Sequence, residues 1–192
     1  MKTRKILKFI TGNKKKLEEA KSILERDYPD VELVMEKDID IPELQGDPVS
    51  IVEEKLKWAI DRVDGPLLVE DTSLCYNALH GLPGPHIKDF LFKLGTKDLY
   101  KLIDGFEDKS AYSQCIFGLI HKKGEKGQLF IGQTKGRIVD PRGPENFGWD
   151  PVFEPDGFDK TYAELPSEEK NKISHRSKAL AKLIEHLKEN PL

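Results

Sequence analysis

The first third of the chain changes its hydrophobic period several times, and this restricts the fold more than any other feature. Ile6, Leu7, Phe9 and Ile10 form a short apolar run ending in Thr11-Gly12-Asn13, after which Leu17, Ala20, Ile23 and Leu24 recur at helical spacing. The pattern predicts strand, turn, helix. A second strand is expected over Val31 to Met35. Ile51, Val52, Leu56, Ala59, Ile60 and Val63 then mark one face of a second helix, with the acidic, proline-containing loop Asp40 to Pro48 between the two. Gly65-Pro66 breaks that helix. Leu67-Leu68-Val69 predicts a short buried strand that delivers Glu70 and Asp71 at its C-terminal end, where ligands of α/β sheets gather.

The middle of the chain is different. Ala111 to Ile120 and Leu129 to Val139 are long β-prone runs joined by the glycine-bearing turn Lys122 to Gly127, the signature of an antiparallel hairpin. After a turn-rich segment from Pro141 to Gly157, Ala179, Leu180, Leu183, Ile184 and Leu187 share one stripe of a last helix, with Ser174 available as its N-cap. The expected fold class is α/β with a mixed sheet, parallel strands coming early and a hairpin later. There is no internal repeat and no linker, so one domain over residues 1–192 is the simplest organisation.

Composition bounds the partners. A chain of 192 residues with 38% hydrophobic content can bury a substantial core, and its length favours one compact unit over two. Charged residues make up 34% but leave a formal net charge of only -3, so no global positive field draws the molecule to nucleic acid or to an anionic membrane. Any polyanion must be bound locally. Cys75 and Cys115 lie far apart with no CxxC or zinc-ligand spacing, which argues for reduced thiols. The N-terminal cluster of Lys2, Arg4 and Lys5 precedes an apolar stretch too short for a signal-peptide core. No later stretch approaches the roughly 20 apolar residues of a spanning helix. A cytoplasmic, soluble protein is expected.

Several residues have the character of a phosphate-handling site. Thr11-Gly12-Asn13 followed by Lys14, Lys15 and Lys16 places polar groups and positive charge at a helix N-terminus directly after a strand, where backbone amides and the helix dipole favour an anion. The alternative is that Thr11 or Asn13 only caps the helix while the lysines are solvated. The segment is not a Walker loop, because GxxxxGK[ST] is absent throughout, and this disfavours a kinase or GTPase switch. Phosphoanhydride hydrolysis calls for Mg²⁺ held by carboxylates, for which Glu43, Glu70 and Asp71 are candidates. Neighbours on an extended chain point to opposite faces, so one of Glu70 and Asp71 should enter the site fully, and Asp71, nearer the loop, is the better choice. Otherwise the pair caps the Thr72-Ser73 turn.

Gly81-Leu82-Pro83-Gly84-Pro85 forms a bend that presents His86 and Lys88, either as plain punctuation or, for Lys88, beside phosphate. Phe147-Gly148-Trp149-Asp150-Pro151 sets two aromatic residues around a glycine, suited to stacking on a purine or, for Trp149, to plugging the core. Ser174-His175-Arg176 at a helix start, with Lys170 nearby, either faces the same ligand or is ordinary capping and surface.

Taken in order, Thr11 to Glu18, Leu68-Val69-Glu70-Asp71-Thr72, Leu82-Pro83-Gly84-Pro85, Gly105-Phe106-Glu107-Asp108-Lys109-Ser110, Phe147 to Pro151 and Ser174-His175-Arg176 resemble the signature segments of the inosine triphosphate pyrophosphatase family. The resemblance runs nearly end to end, and the Phe-Glu-Asp-Lys-Ser run is closer to its eukaryotic branch. It implies an elongated mixed sheet with flanking helices and a central substrate cleft, a homodimer, and Mg²⁺-dependent hydrolysis (Mn²⁺ as a substitute) of ITP, dITP and XTP to monophosphate and pyrophosphate. By the same resemblance Thr11, Gly12, Asn13, Lys14, Lys15 and Lys16 bind triphosphate, with Lys55, Thr72 and Lys88 also on the substrate. Glu43 and Asp71 hold the metal, and Asp71 is also a candidate base. Phe147, Gly148, Trp149, Asp150, Lys170, His175 and Arg176 shape the base pocket, where donors from Arg176 or nearby backbone meet the 6-keto oxygen. Two features depart from the pattern: His86 stands where tyrosine is usual, and the Asp47-Pro48-Val49 loop is shorter.

Overall fold

Seven strands form one sheet in the order Val31–Glu36 (β2), Lys5–Ile10 (β1), Leu67–Tyr76 (β3), Ser110–Ile120 (β5), Gln128–Ile138 (β6) and Phe153–Pro155 (β7), with Pro83–Gly84 (β4) paired to β3. The computed structural model describes residues 4–37, 39 and 41–192. Two residues used above, Lys2 and Asp40, lie outside that set. The chain separates into two compact units. Unit 1 comprises Met1–Asp71, Cys115–Gly132 and Arg176–Leu192; unit 2 comprises Thr72–Gln114 and Gln133–His175.

In unit 1, β1 (Lys5–Ile10) lies parallel to β2 (Val31–Glu36) on one side and to β3 (Leu67–Tyr76) on the other. The helices α1 (Lys14–Asp27) and α2 (Pro48–Ile60) make the two crossovers. Because the chain steps from β1 to β2 and then back past β1 to β3, right-handed crossovers must put α1 and α2 on opposite faces. The cores confirm it. Ala20, Ile23 and Leu24 of α1 pack with Leu68, Cys115, Phe117 and Leu119, together with Leu180, Leu183 and Leu187 of α5 (His175–Glu189). Val52, Leu56 and Ala59 of α2 pack with Leu67, Val69, Ile116 and Ile120. Alternate strand residues thus serve alternate faces, as the two-residue pleat requires.

The fit of α2 is close. A Cβ on Gly118 of β5 (Ser110–Ile120) would lie 2.8 Å from both Leu56 and Val52. Pro48 stands in the first turn of α2, and Asp47 caps it by accepting from the Val49 and Ser50 amides. The segment Asp47-Pro48-Val49 is therefore a helix start where the sequence suggested a loop: proline there loses an amide that has no partner in any case.

Unit 2 contains the rest of β3, β4 (Pro83–Gly84), α3 (Ile87–Lys101), β7 (Phe153–Pro155) and α4 (Ser167–Ile173). It also takes Ser110 to Gln114 of β5 and Gln133 to Ile138 of β6 (Gln128–Ile138). Its core gathers Leu74, Tyr76, Ile87, Leu99, Ile103, Ile138, Trp149, Phe153 and Tyr162. Ser113 contacts the Thr134 carbonyl and Gln114 contacts Gln133, the falling register of an antiparallel hairpin. Strand β7 extends it, antiparallel to β6.

Three expectations change. Strand β3 runs on through Glu70 and Asp71 to Tyr76, because Leu74 and Tyr76 bury fully and Cys75 pairs with Pro83 of β4. Helix α3 is absent from the sequence reading, and Gly95, at φ +68°, interrupts its period. Helix α4 is likewise absent from the sequence reading, whereas Ser174, extended (φ -68°, ψ 156°) just before α5, stands where an N-cap of the last helix was expected.

Candidate active site

A strand order that reverses about its first strand leaves a crevice at the carboxyl ends of the two strands flanking the reversal. In unit 1 β1 ends at Thr11 to Asn13, and β3 passes that end at its Glu70-Asp71 step before running on, the two strands being in register through Phe9 and Leu68. The pleat then separates the two carboxylates. Glu70 follows Leu68 onto the α1 and α5 face; Asp71 follows Val69 onto the α2 face. Each meets a lysine there. The Lys16 ammonium is 3.0 Å from Glu70 Oε2, and the Lys55 ammonium donates to Asp71 Oδ1 at 2.8 Å and to the Glu70 carbonyl at 3.3 Å. Both acids are buried, so both enter the interior rather than one alone.

Around Glu70 the charges are dense. Arg176 at the start of α5 is 1% exposed; its Nη2 donates to Glu70 Oε1 at 3.1 Å and its Nη1 to Glu19 of α1. Burial opposes its charge, but Glu70 and Glu19 outweigh this and hold the guanidinium firmly protonated. Cys115, 3.4 Å from Glu70 Oε1, is driven well above the usual thiol range by burial and by that carboxylate. Burial likewise raises Asp71 above the ordinary carboxylate value, although Lys55, and more weakly Lys16, pull it down.

Among the described residues Asp71 Oδ2 is buried without a hydrogen-bond partner. A hard cation suits such an oxygen. No group of three His, Cys, Asp or Glu side chains comes together among the described residues. Mg²⁺, however, is usually held by one or two carboxylates, with phosphate oxygens and water completing the octahedron. Glu43, exposed on the segment leading into α2, is the second carboxylate the sequence offers. The donor set fits.

At the start of α1, Asn13 Oδ1 accepts from the Lys15 and Lys16 amides, and Thr11 Oγ1 accepts from the Asn13 amide. The capping alternative is thus realised for the backbone, while Gly12, Lys14 and Lys15 are exposed and Lys16 is half-buried. Thr72 is half-buried one step beyond Asp71, and Lys88 is exposed in the first turn of α3, in unit 2.

Unit 2 gathers the remaining candidates. The Lys170 ammonium of α4 donates to Asp150 Oδ2 at 2.6 Å, both residues buried, and lies 4.5 Å from the Phe147 ring centre. Phe147 is half-exposed, and Gly148 beside it takes a left-handed φ of +54°. Trp149 is in the core: its ring is 5.8 Å from Phe153, 6.2 Å from Tyr162 and 5.4 Å from His175. Tyr162 stacks on His175 at 5.9 Å and 19°. The Trp149 ring thus packs into the core of unit 2.

A sequence model of the family described as "Ham1 family" matches residues 7–186. The chain belongs to the Ham1 family. Solved Ham1 proteins have the same fold: the protein from Coxiella burnetii superimposes with TM-score 0.85 at 27% identity, covering 96% of this chain and 99% of that one. The Staphylococcus aureus Ham1 protein gives 0.82 at 24% identity, with the same coverage. A Mycobacterium abscessus protein described as a nucleoside-triphosphatase and dITP/XTP pyrophosphatase gives 0.72 at 29% identity, covering 95% and 99%.

Sequence reasoning missed the part played by three residues of this Ham1 chain, Glu19, Tyr162 and Cys115, and the full engagement of Glu70. Glu19 had a signal, since it shares a helix face with Lys16 three residues earlier. Tyr162, in a loop between β7 and α4, had none.

Proposed function

We propose that this Ham1 chain hydrolyses non-canonical purine nucleoside triphosphates such as ITP, dITP and XTP to the monophosphate and pyrophosphate, with Mg²⁺ as cofactor. The observation that carries the reading is the buried Asp71 oxygen, unpartnered among the described residues, beside Lys55, where β3 passes the carboxyl end of β1. The family, and the printed activity of the Mycobacterium abscessus relative, support the substrate class.

In this reading Thr11 to Lys16, Lys55 and Thr72 are assigned to the polyphosphate, with Lys88 as a further cation. Glu43 and Asp71 hold Mg²⁺, which when bound neutralises charge on phosphate oxygens; Mn²⁺ is an acceptable substitute. Water attacks the α-phosphorus, its proton passes to a carboxylate for which the raised Asp71 is the candidate, and the α–β bridging oxygen leaves with pyrophosphate. Lys16 and Lys55 stabilise that leaving group.

Phe147, Gly148, Asp150, Lys170 and His175 are assigned to the base, with Trp149 supporting them. Since the Arg176 guanidinium is turned to Glu70 and Glu19, Lys170 and His175 are the better donors to a 6-keto oxygen. An amino group at that position leaves a buried donor unsatisfied, which costs about 1–3 kcal/mol. A cytoplasmic homodimer acting on free nucleotides, and not on nucleic acid or membranes, completes the reading.

The test is incubation of the purified protein with Mg²⁺ and ITP, XTP, dITP, GTP, ATP or dUTP, with product identification. Pyrophosphate and monophosphate from ITP and XTP are expected. Orthophosphate and a diphosphate would contradict the bond assigned, and equal rates on ATP and ITP would contradict the base assignment.

A further inference from the structure

Glu70 is in an electrostatically awkward place. Its side chain is 2% exposed and contributes a negative charge 3.0 Å from Lys16, a residue the proposed function assigns to a polyanion. On Coulomb's law alone, a fixed carboxylate there weakens phosphate binding. The geometry suggests the opposite outcome. Lys16 is a long, flexible side chain on the first turn of α1, 24% exposed, and an ammonium carries three donors, so contact with Glu70 leaves donors for a second anion. Glu70 is itself fixed from the other side by Arg176 of α5, which Glu19 of α1 also holds. Residues of one strand and two helices are thus joined into one charge-balanced cluster: Lys16 and Arg176 against Glu19 and Glu70.

We propose that Glu70 is a positioning residue: locked by Arg176, it pre-orients the Lys16 ammonium for the polyphosphate, and it is neither the base nor a metal ligand. The inference rests on the assignment of Lys16 to phosphate. Freezing a lysine before the ligand arrives removes an entropic cost that binding otherwise bears, while the Arg176 guanidinium offsets the negative charge of Glu70.

Calorimetric binding of inorganic tripolyphosphate to the full chain, with Mg²⁺ and again in EDTA, separates the alternatives because it needs neither base recognition nor turnover. Glu70→Gln is expected to weaken binding about tenfold in both buffers, the scale of one long side chain that must be immobilised. Lys16→Met should weaken it similarly, and the double variant should bind no worse than the poorer single one. Binding by Glu70→Gln that is unchanged or tighter, that weakens only with Mg²⁺, or whose loss adds fully to that of Lys16→Met overturns the proposal. Should Glu70→Gln fail to fold, Glu70→Asp keeps the charge but draws it back by one methylene; weakened binding is expected and wild-type binding would refute it. If the wild-type chain binds tripolyphosphate as described yet leaves ITP intact, the proposed function fails and the role of Glu70 stands. If it cleaves ITP while Glu70→Gln binds normally, the role of Glu70 alone fails.

Discussion

Asp71 and Lys170 show how a single buried charge can be judged by what lies beside it. Asp71 is held above its usual pKa by burial, so its ionised form opposes folding, and stability falls as pH rises from 3.8 through the raised folded value. Asp71→Asn removes that opposition. It should melt at the same temperature as the wild type or higher, while steady-state turnover of ITP falls at least about a hundredfold, the usual lower range for losing a base or a metal ligand. Lys170 is the reverse case, since it neutralises a buried Asp150 at 2.6 Å. Lys170→Met should cost about 3–5 kcal/mol in urea unfolding because the carboxylate is left without its cation, and adding Asp150→Asn should restore most of the loss. The sequence made Asp71 legible through its place after an apolar run. It offered Lys170 a place at the ligand or at the surface, but nothing local announces that Asp150 is its partner.

At the level of elements, α2 offers two tests. A methyl on Gly118 has no room against Leu56 and Val52, so Gly118→Ala should destabilise by about 1–3 kcal/mol, measured by denaturant titration. The Asp47 cap is pH-sensitive. Hydrogen bonds from Ser50, then Val49, hold its carboxyl below 3.8. Its contribution is therefore complete above that value and fades as pH drops through the lower folded value. Asp47→Asn should keep the cap at neutral pH and flatten the acid end of the melting-temperature profile. The strand-helix alternation of the first three strands was readable because each apolar period ran unbroken. Helix α3 was not, since Gly95 interrupts its stripe and Phe92 on its surface is 82% exposed, which blurs any hydrophobic face.

For the molecule as a whole, the division into two units was not visible in the sequence, because no linker or change of composition marks it. Strands β3, β5 and β6 each contribute residues to both units. Unfolding one unit would strip half of each strand, so calorimetry should give a single transition with equal calorimetric and van't Hoff enthalpies. The family assignment was legible because its motifs are short contiguous segments that each read on their own. The Arg176–Glu70–Glu19 cluster was not, because it depends on α1, β3 and α5 meeting over separations in sequence that no local pattern encodes.

The pleat of β3 makes the chemistry of unit 1 a question of parity. Insert one residue before Glu70 and the two acids trade sides: the carboxylate meant for Lys55 would confront Arg176, and its neighbour would turn toward α2. Insert two and both return to their own faces, displaced along the strand by about 7 Å. Length changes that a surface loop would absorb are therefore forbidden here in odd steps.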